Sequence, residues 1–144
     1  MPHESKSSPR EIQNYLDRID LHIEVPQVKF REMAGASNGE SSAAIRERVV
    51  AARERQQARF KDKPKITCNA RTGTRELKQF CELDEATKEL LKFAMTDLNL
   101  SARVYDRILK VARTIADLAG TEKVAGEHVS EAIQYRSLDR QLWT

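Results

Sequence analysis

The chain has 144 residues and a mass of 16.5 kDa, 40% hydrophobic, 33% charged and 6% aromatic, which suits one domain with flanking tails. Five glycines and four prolines are too few for a collagen-like, linker-like or loop-rich all-β chain, and the Ala, Glu, Arg, Lys and Leu content favours helix. A formal charge of +3 excludes the overall basicity of a dedicated nucleic-acid binder, so any basic surface is local.

In chain order, Ser8-Pro9-Arg10-Glu11 reads as a capped helix start, followed by Ile12, Tyr15, Leu16 and Ile19 at helical spacing. Residues 19–25, Ile-Asp-Leu-His-Ile-Glu-Val, then alternate apolar and polar up to Pro26, the period of a β-strand with one buried face. No second strand of that quality follows. A lone strand leaves its backbone groups unsatisfied, so its sheet is expected elsewhere, and the chain reads as a piece of a larger protein cut before the last strand of a sheet domain.

Residues 35–42 form a loop in which Ser41 or Ser42 can cap the next helix. From Ala43 to about Lys61 that helix shows a narrow apolar stripe, Ile45, Val49, Ala52, Gln56 and Phe60, among Arg46, Arg48, Arg53, Arg55, Arg59 and Lys61. Between Arg46 and Lys65 stand eight basic residues and three acidic ones, an excess of five against +3 for the whole chain. This is the basic patch and a candidate DNA contact; a solvated charged face is the plainer alternative.

A polar connector runs from Pro64 to Gly73. Three helices are expected after it, Thr74 to about Cys81, Asp84 to about Leu98 and Ser101 to about Ala119, capped by Thr74, Asp84 and Ser101. The last carries a broad apolar surface, including Val104, Ile108, Leu109, Ala112, Ile115 and Ala116, and ends at Gly120, so it is expected to be the core helix. A final helix from about Ala125 to Arg136 closes the bundle, leaving a tail with Leu142 and Trp143. The fold class expected is mainly α, a helical bundle preceded by a short helix and a strand.

Chemistry-bearing motifs are sparse. Gly35 and Gly39 lead into Glu40 and not a lysine, so no phosphate-cradling G-x-x-x-x-G-K-[ST] is present. Cys68, Cys81, His3, His22 and His128 lack metal-ligand spacing, so a zinc site is not expected and the cysteines read as reduced core thiols. No run approaches the roughly 18 apolar residues of a membrane span, and the first residues lack a signal-peptide pattern, so a cytoplasmic protein without membrane contact is expected. Arg103 is the informative residue. In the first turn of the Ser101 helix a cation opposes the helix dipole, and beside free amides it suits an anion such as a nucleotide phosphate. The alternatives are a surface arginine extended into solvent and an ion pair with Asp106 or Asp97. Arg107 and Lys110 continue the same stripe.

Residues 17–26 (Asp-Arg-Ile-Asp-Leu-His-Ile-Glu-Val-Pro), 39–49 (Gly-Glu-Ser-Ser-Ala-Ala-Ile-Arg-Glu-Arg-Val), 100–118 from Leu-Ser-Ala-Arg-Val-Tyr-Asp-Arg onward and 131–136 (Glu-Ala-Ile-Gln-Tyr-Arg) resemble the C-terminal part of magnesium-chelatase-like AAA+ ATPases of the YifB/ComM type, from about Ser8 to Arg140. The resemblance implies a helical lid at 35–144 following a P-loop core, of which residues 1–34 would hold the tail. It implies that Arg103 is the sensor 2 arginine contacting the γ-phosphate and that Arg18 is an arginine finger reaching a neighbouring subunit. Two departures stand out. Gln13-Asn14-Tyr15-Leu16 runs directly into Asp17-Arg18 where the family has a Ser-Gly-Pro-containing stretch, and Ser5, Lys6 and Ser7 replace cysteines. The implied cofactors are ATP and Mg2+ in the full-length protein, and the implied partners are its own core and the neighbours of a hexameric ring. ComM-type relatives imply branch migration of DNA; a chelatase-type remodelling subunit and a stand-alone helical nucleic-acid-binding module are the alternatives.

Overall fold

Residues 9–35 and 39–137 are described by the structure, a computed structural model. In chain order it contains α1 (Pro9–Leu16), a one-turn α2 (Phe30–Met33), α3 (Ser42–Arg59), a 3-10 turn (Asn69–Arg71), α4 (Thr74–Phe80), α5 (Glu85–Asp97), α6 (Ala102–Ala119) and α7 (Gly126–Ser137). Local chemistry sets these limits. The Ser41, Asp84 and Ser101 side chains accept hydrogen bonds from the amides of Ala44, Thr87 and Val104, each satisfying an orphan donor of a first helical turn. At α4 the cap is Gly73 rather than Thr74. The Glu76 carboxylate reaches back 3.1 Å to the Gly73 amide, and Thr74 is already helical. The α2 turn and the 3-10 turn were not expected from the sequence, and Leu142 and Trp143 lie outside the described residues.

Helix α6 is the axis of the bundle: α3, α4, α7 and the 3-10 turn pack on it, while α5 packs on α7. Its inward face, Val104, Ile108, Leu109, Ala112 and Ala116, joins Leu77, Leu83, Leu91, Val124, Val129 and Ala132 in one buried cluster. Ala112 and Ala116 are fully buried, and such small residues let neighbouring helices approach α6 closely. Phe60 at the end of α3 meets Phe80 of α4 edge to face, with centroids 5.6 Å apart.

Helix α6 stops at Gly120, which has φ +76° and donates its amide back to the last turn. An L-residue is strained there, and a Cβ would lie 3.1 Å from Arg55 Nη2. Gly120→Ala is therefore expected to destabilise the fold by about 1–2 kcal/mol in a thermal or urea melt. An unchanged midpoint would show that the turn relaxes without cost.

The expected strand at 19–25 requires correction: no strand occurs among the described residues, and 21–29 run as irregular backbone. The alternating pattern describes a segment able to sit in a sheet, but the described residues offer no second strand to bond it. The segment is instead held on the bundle by polar contacts. The His22 amide donates to the Tyr135 carbonyl at 3.0 Å, and Arg136 donates to the carbonyls of Leu16 and Ile19. Ile23 and Val25 remain 68% and 79% exposed.

Candidate functional site

The first turns of α6 bring together residues far apart in sequence. Ser101 caps the helix and also donates to Asp17 Oδ2 at 3.4 Å. Arg107, two turns inside the cap, pairs with Asp20 and donates to the Arg18 carbonyl at 3.0 Å. Arg136, buried at the end of α7, secures the same loop. Arg18 and Arg103 therefore stand at one end of the molecule, linked through the backbone of residues 17–20.

Both candidate arginines are exposed. The Arg18 side chain borders a hollow of about 190 Å3 with Glu11, Asn14 and Tyr15. Arg103 makes no ion pair or side-chain hydrogen bond with any described residue, and neither Asp97 nor Asp106 pairs with it. It is a cation in the first turn of an 18-residue helix, where the dipole alone would disfavour it by a few tenths of a kcal/mol. Such a side chain is suited to an external anion. His22 lies beneath this end, its imidazole held below 6.5 by burial and by the neighbouring Arg136 charge.

The basic helix divides in two. Arg59 is turned inward and forms a forked pair with Asp117, whose side chain has no exposure, with Nη1 2.9 Å from Oδ2. Arg55 donates to the Asp117 carbonyl at 3.2 Å, and Arg48 pairs with Glu40. Arg46, Arg53 and Lys61 carry exposed side chains. Of the expected α3 stripe, Ala52, Gln56 and Phe60 are buried, whereas Ile45 and Val49 are not.

The Asp117 cluster lay outside the sequence reading. Asn69 Nδ2 donates to Asp117 at 2.8 Å, Gln56 Oε1 accepts the Asn69 amide at 2.9 Å, and Arg113 sits 3.2 Å from Asp117 one turn earlier on α6. Arg113 also donates to the carbonyls of Thr121, Glu122 and Phe80. Burial pushes the Asp117 carboxyl up, but hydrogen bonds from Arg59 and Asn69 and the charges of Arg59 and Arg113 outweigh it, so the carboxyl lies below its usual range. The available signal was an i,i+4 Arg–Asp pair, 113 and 117, within an otherwise apolar helix face. Cys81, pushed up to about 11 mainly by burial, is a protonated core thiol, and Cys68 is free at the edge of the bundle. No helix among the described residues is long and apolar enough to cross a membrane.

The described residues form a helical bundle on one central helix, the fold class of a helical lid. The chain belongs to the magnesium chelatase family: the model for magnesium chelatase, subunit ChlI C-terminal, matches residues 39–136. It is 41% identical over 129 residues to the uncharacterized protein YifB of Salmonella typhimurium, covering 89% of this chain and 24% of that protein. It is 39% identical over 147 residues to the competence protein ComM of Haemophilus influenzae, covering 96% of this chain and 28% of the relative. With the uncharacterized protein Mb2921c of Mycobacterium bovis it shares 32% identity over 121 residues, 84% of this chain and 24% of that protein. The chain spans about a quarter of the length of these relatives.

Proposed function

We propose that residues 35–144 act as the C-terminal lid of a magnesium-chelatase-like AAA+ ATPase, with residues 1–34 the tail of its core. The observation that carries this reading is Arg103, exposed and without a carboxylate partner among the described residues, beside the capped start of α6. An arginine so placed, with Arg107 one turn on, fits the phosphate end of a nucleotide, where its charge would stabilise the transferring phosphoryl group. Bound ATP with Mg2+ would supply the energy of the cycle. Among the described residues no three carboxylate, His or Cys side chains cluster as metal ligands, so Mg2+ would be held by the core. Arg18, carried on the segment that α6 and α7 grip, would reach a nucleotide of the neighbouring subunit in a ring, hexameric by family resemblance.

Similarity to the competence protein ComM favours a ring motor acting on DNA, as in branch migration, over a chelatase-type remodelling subunit. In the longer protein containing the P-loop core, Arg103→Ala is expected to lower ATP turnover at least tenfold with the fold retained. Unchanged turnover and unchanged binding of a slowly hydrolysed ATP analogue would overturn the role of Arg103.

A further inference from the structure

Two exposed helix faces that the proposed nucleotide role leaves unused are complementary to each other. On α3 the apolar stripe is covered by the bundle only from Ala52 onward. Helix α6 ends beside Arg55, as the close approach of Gly120 to that side chain records, so residues 42–51 run on past it for ~15 Å. Along this overhang Ile45, Val49 and Val50 are 43–48% exposed. Arg46 and Arg53 share their side of the helix, while Glu47 and Glu54 fall on the other.

The second face is the outer side of α5. Thr87 and Leu91 point inward, whereas Ala86, Leu90 and Phe93 point outward at helical spacing, Phe93 with 71% exposure. Glu89 and Asp97 flank them, and residues 82–97 carry five acidic side chains (Glu82, Asp84, Glu85, Glu89, Asp97) against Lys88 and Lys92, which pair with Glu85 and Glu89 and leave the surface net acidic. One face is apolar and cationic, the other apolar and anionic. Both are exposed in the same molecule, α3 resting on α6 and α5 on α7, so they can meet only between molecules.

We propose that a second copy of this chain docks its α5 face, centred on Leu90 and Phe93, onto the α3 overhang at Ile45, Val49 and Val50, with the net acidic surface of residues 82–97 opposite Arg46 and Arg53. The contact pairs different surfaces of identical chains, so it propagates head to tail and either closes into a ring or runs on as an open chain. Two short helix faces bury less than the roughly 1,200 Å2 of a stable complex, so a single contact is weak and concentration-dependent. Duplex DNA would use the arginines but not the apolar surface between them, which favours a protein partner. The contact needs no nucleotide and stands apart from the role of Arg103.

Sedimentation of the 144-residue chain over a concentration series tests it. The wild type is expected to self-associate. Val49→Asp and Phe93→Asp, both at exposed positions, are each expected to weaken association at least tenfold with helicity unchanged. Mixing the two variants restores one intact pair of faces, so a dimer and nothing larger is expected. Reversing charge with Arg46→Glu and Arg53→Glu is expected to weaken association alike. Ile23→Asp, in the exposed segment near α1, is expected to change nothing. A wild type monomeric at every concentration, association indifferent to the α3 and α5 variants, a mixture that recovers no dimer, or loss through Ile23→Asp alone would each overturn the proposal. So would a chain that stays monomeric yet binds a duplex oligonucleotide through Arg46 and Arg53.

Discussion

Asp117→Ala is expected to cost the fold about 3–5 kcal/mol in a urea or guanidinium melt. The side chain has no exposure and is the common partner of Arg59 from α3, Asn69 from the 3-10 turn and Arg113 of its own helix. Its removal leaves two guanidinium groups facing each other with no anion between them, one of them on a side chain only 4% exposed. Desolvation without compensation, rather than the worth of the pair itself, sets that magnitude. Replacing Arg59, Asn69, Arg113 and Asp117 together by apolar residues is accordingly expected to cost less than the single change. The acid limb follows in sign. The folded carboxyl lies below 3.8, so its contribution is complete above that value and is lost as pH falls through the lower folded value. A loss under about 1 kcal/mol for Asp117→Ala would show that water or relaxation replaces the carboxylate.

Why this cluster escaped the sequence while the helices did not is a matter of range. Asp84 and Ser101 cap helices through bonds to residues three positions on, and Gly120 ends one by its own left-handed backbone, so residues 84–120 could be divided from local chemistry alone. Arg59 and Asp117 are 58 positions apart, and nothing in their separate neighbourhoods marks either as the other's partner. Arg59 therefore reads with Arg46 and Arg53 as one basic run, whereas the fold turns it inward and leaves the others outside. The segment at 19–25 shows the converse. Its alternation is a real local property, but a strand exists only where another strand bonds it, and α6 and α7 offer this segment single donors and acceptors instead of a ladder. Of the two candidate arginines, Arg103 is marked in the sequence by its place in a first turn and Arg18 only by the family resemblance; that they share an end of the molecule follows from Ser101, Arg107 and Arg136 holding the segment from Leu16 to Asp20.

Arg136→Met is expected to release that grip while leaving the bundle folded, and amide hydrogen exchange separates the two. The guanidinium donates to the carbonyls of Leu16 and Ile19 from a buried position, and charged hydrogen bonds of this kind are worth about 1.5–3 kcal/mol each. Loss of about 3 kcal/mol of local stability would accelerate exchange of the His22 amide, bonded to the Tyr135 carbonyl, roughly 100-fold, with α6 amides still protected. The same contact predicts a pH response. His22 lies below its ordinary 6.5 through burial first and the Arg136 charge second, so the docked state binds this proton less readily than the released one. Docking is then complete above 6.5 and is lost as pH falls through the lower folded value. In Arg136→Met the repelling charge is gone, and the titration of His22 moves back toward 6.5. Unaltered His22 exchange in the variant would assign the docking of residues 16–22 to Arg107 and its Asp20 pair, and with it the fixed placement of Arg18 relative to the start of α6.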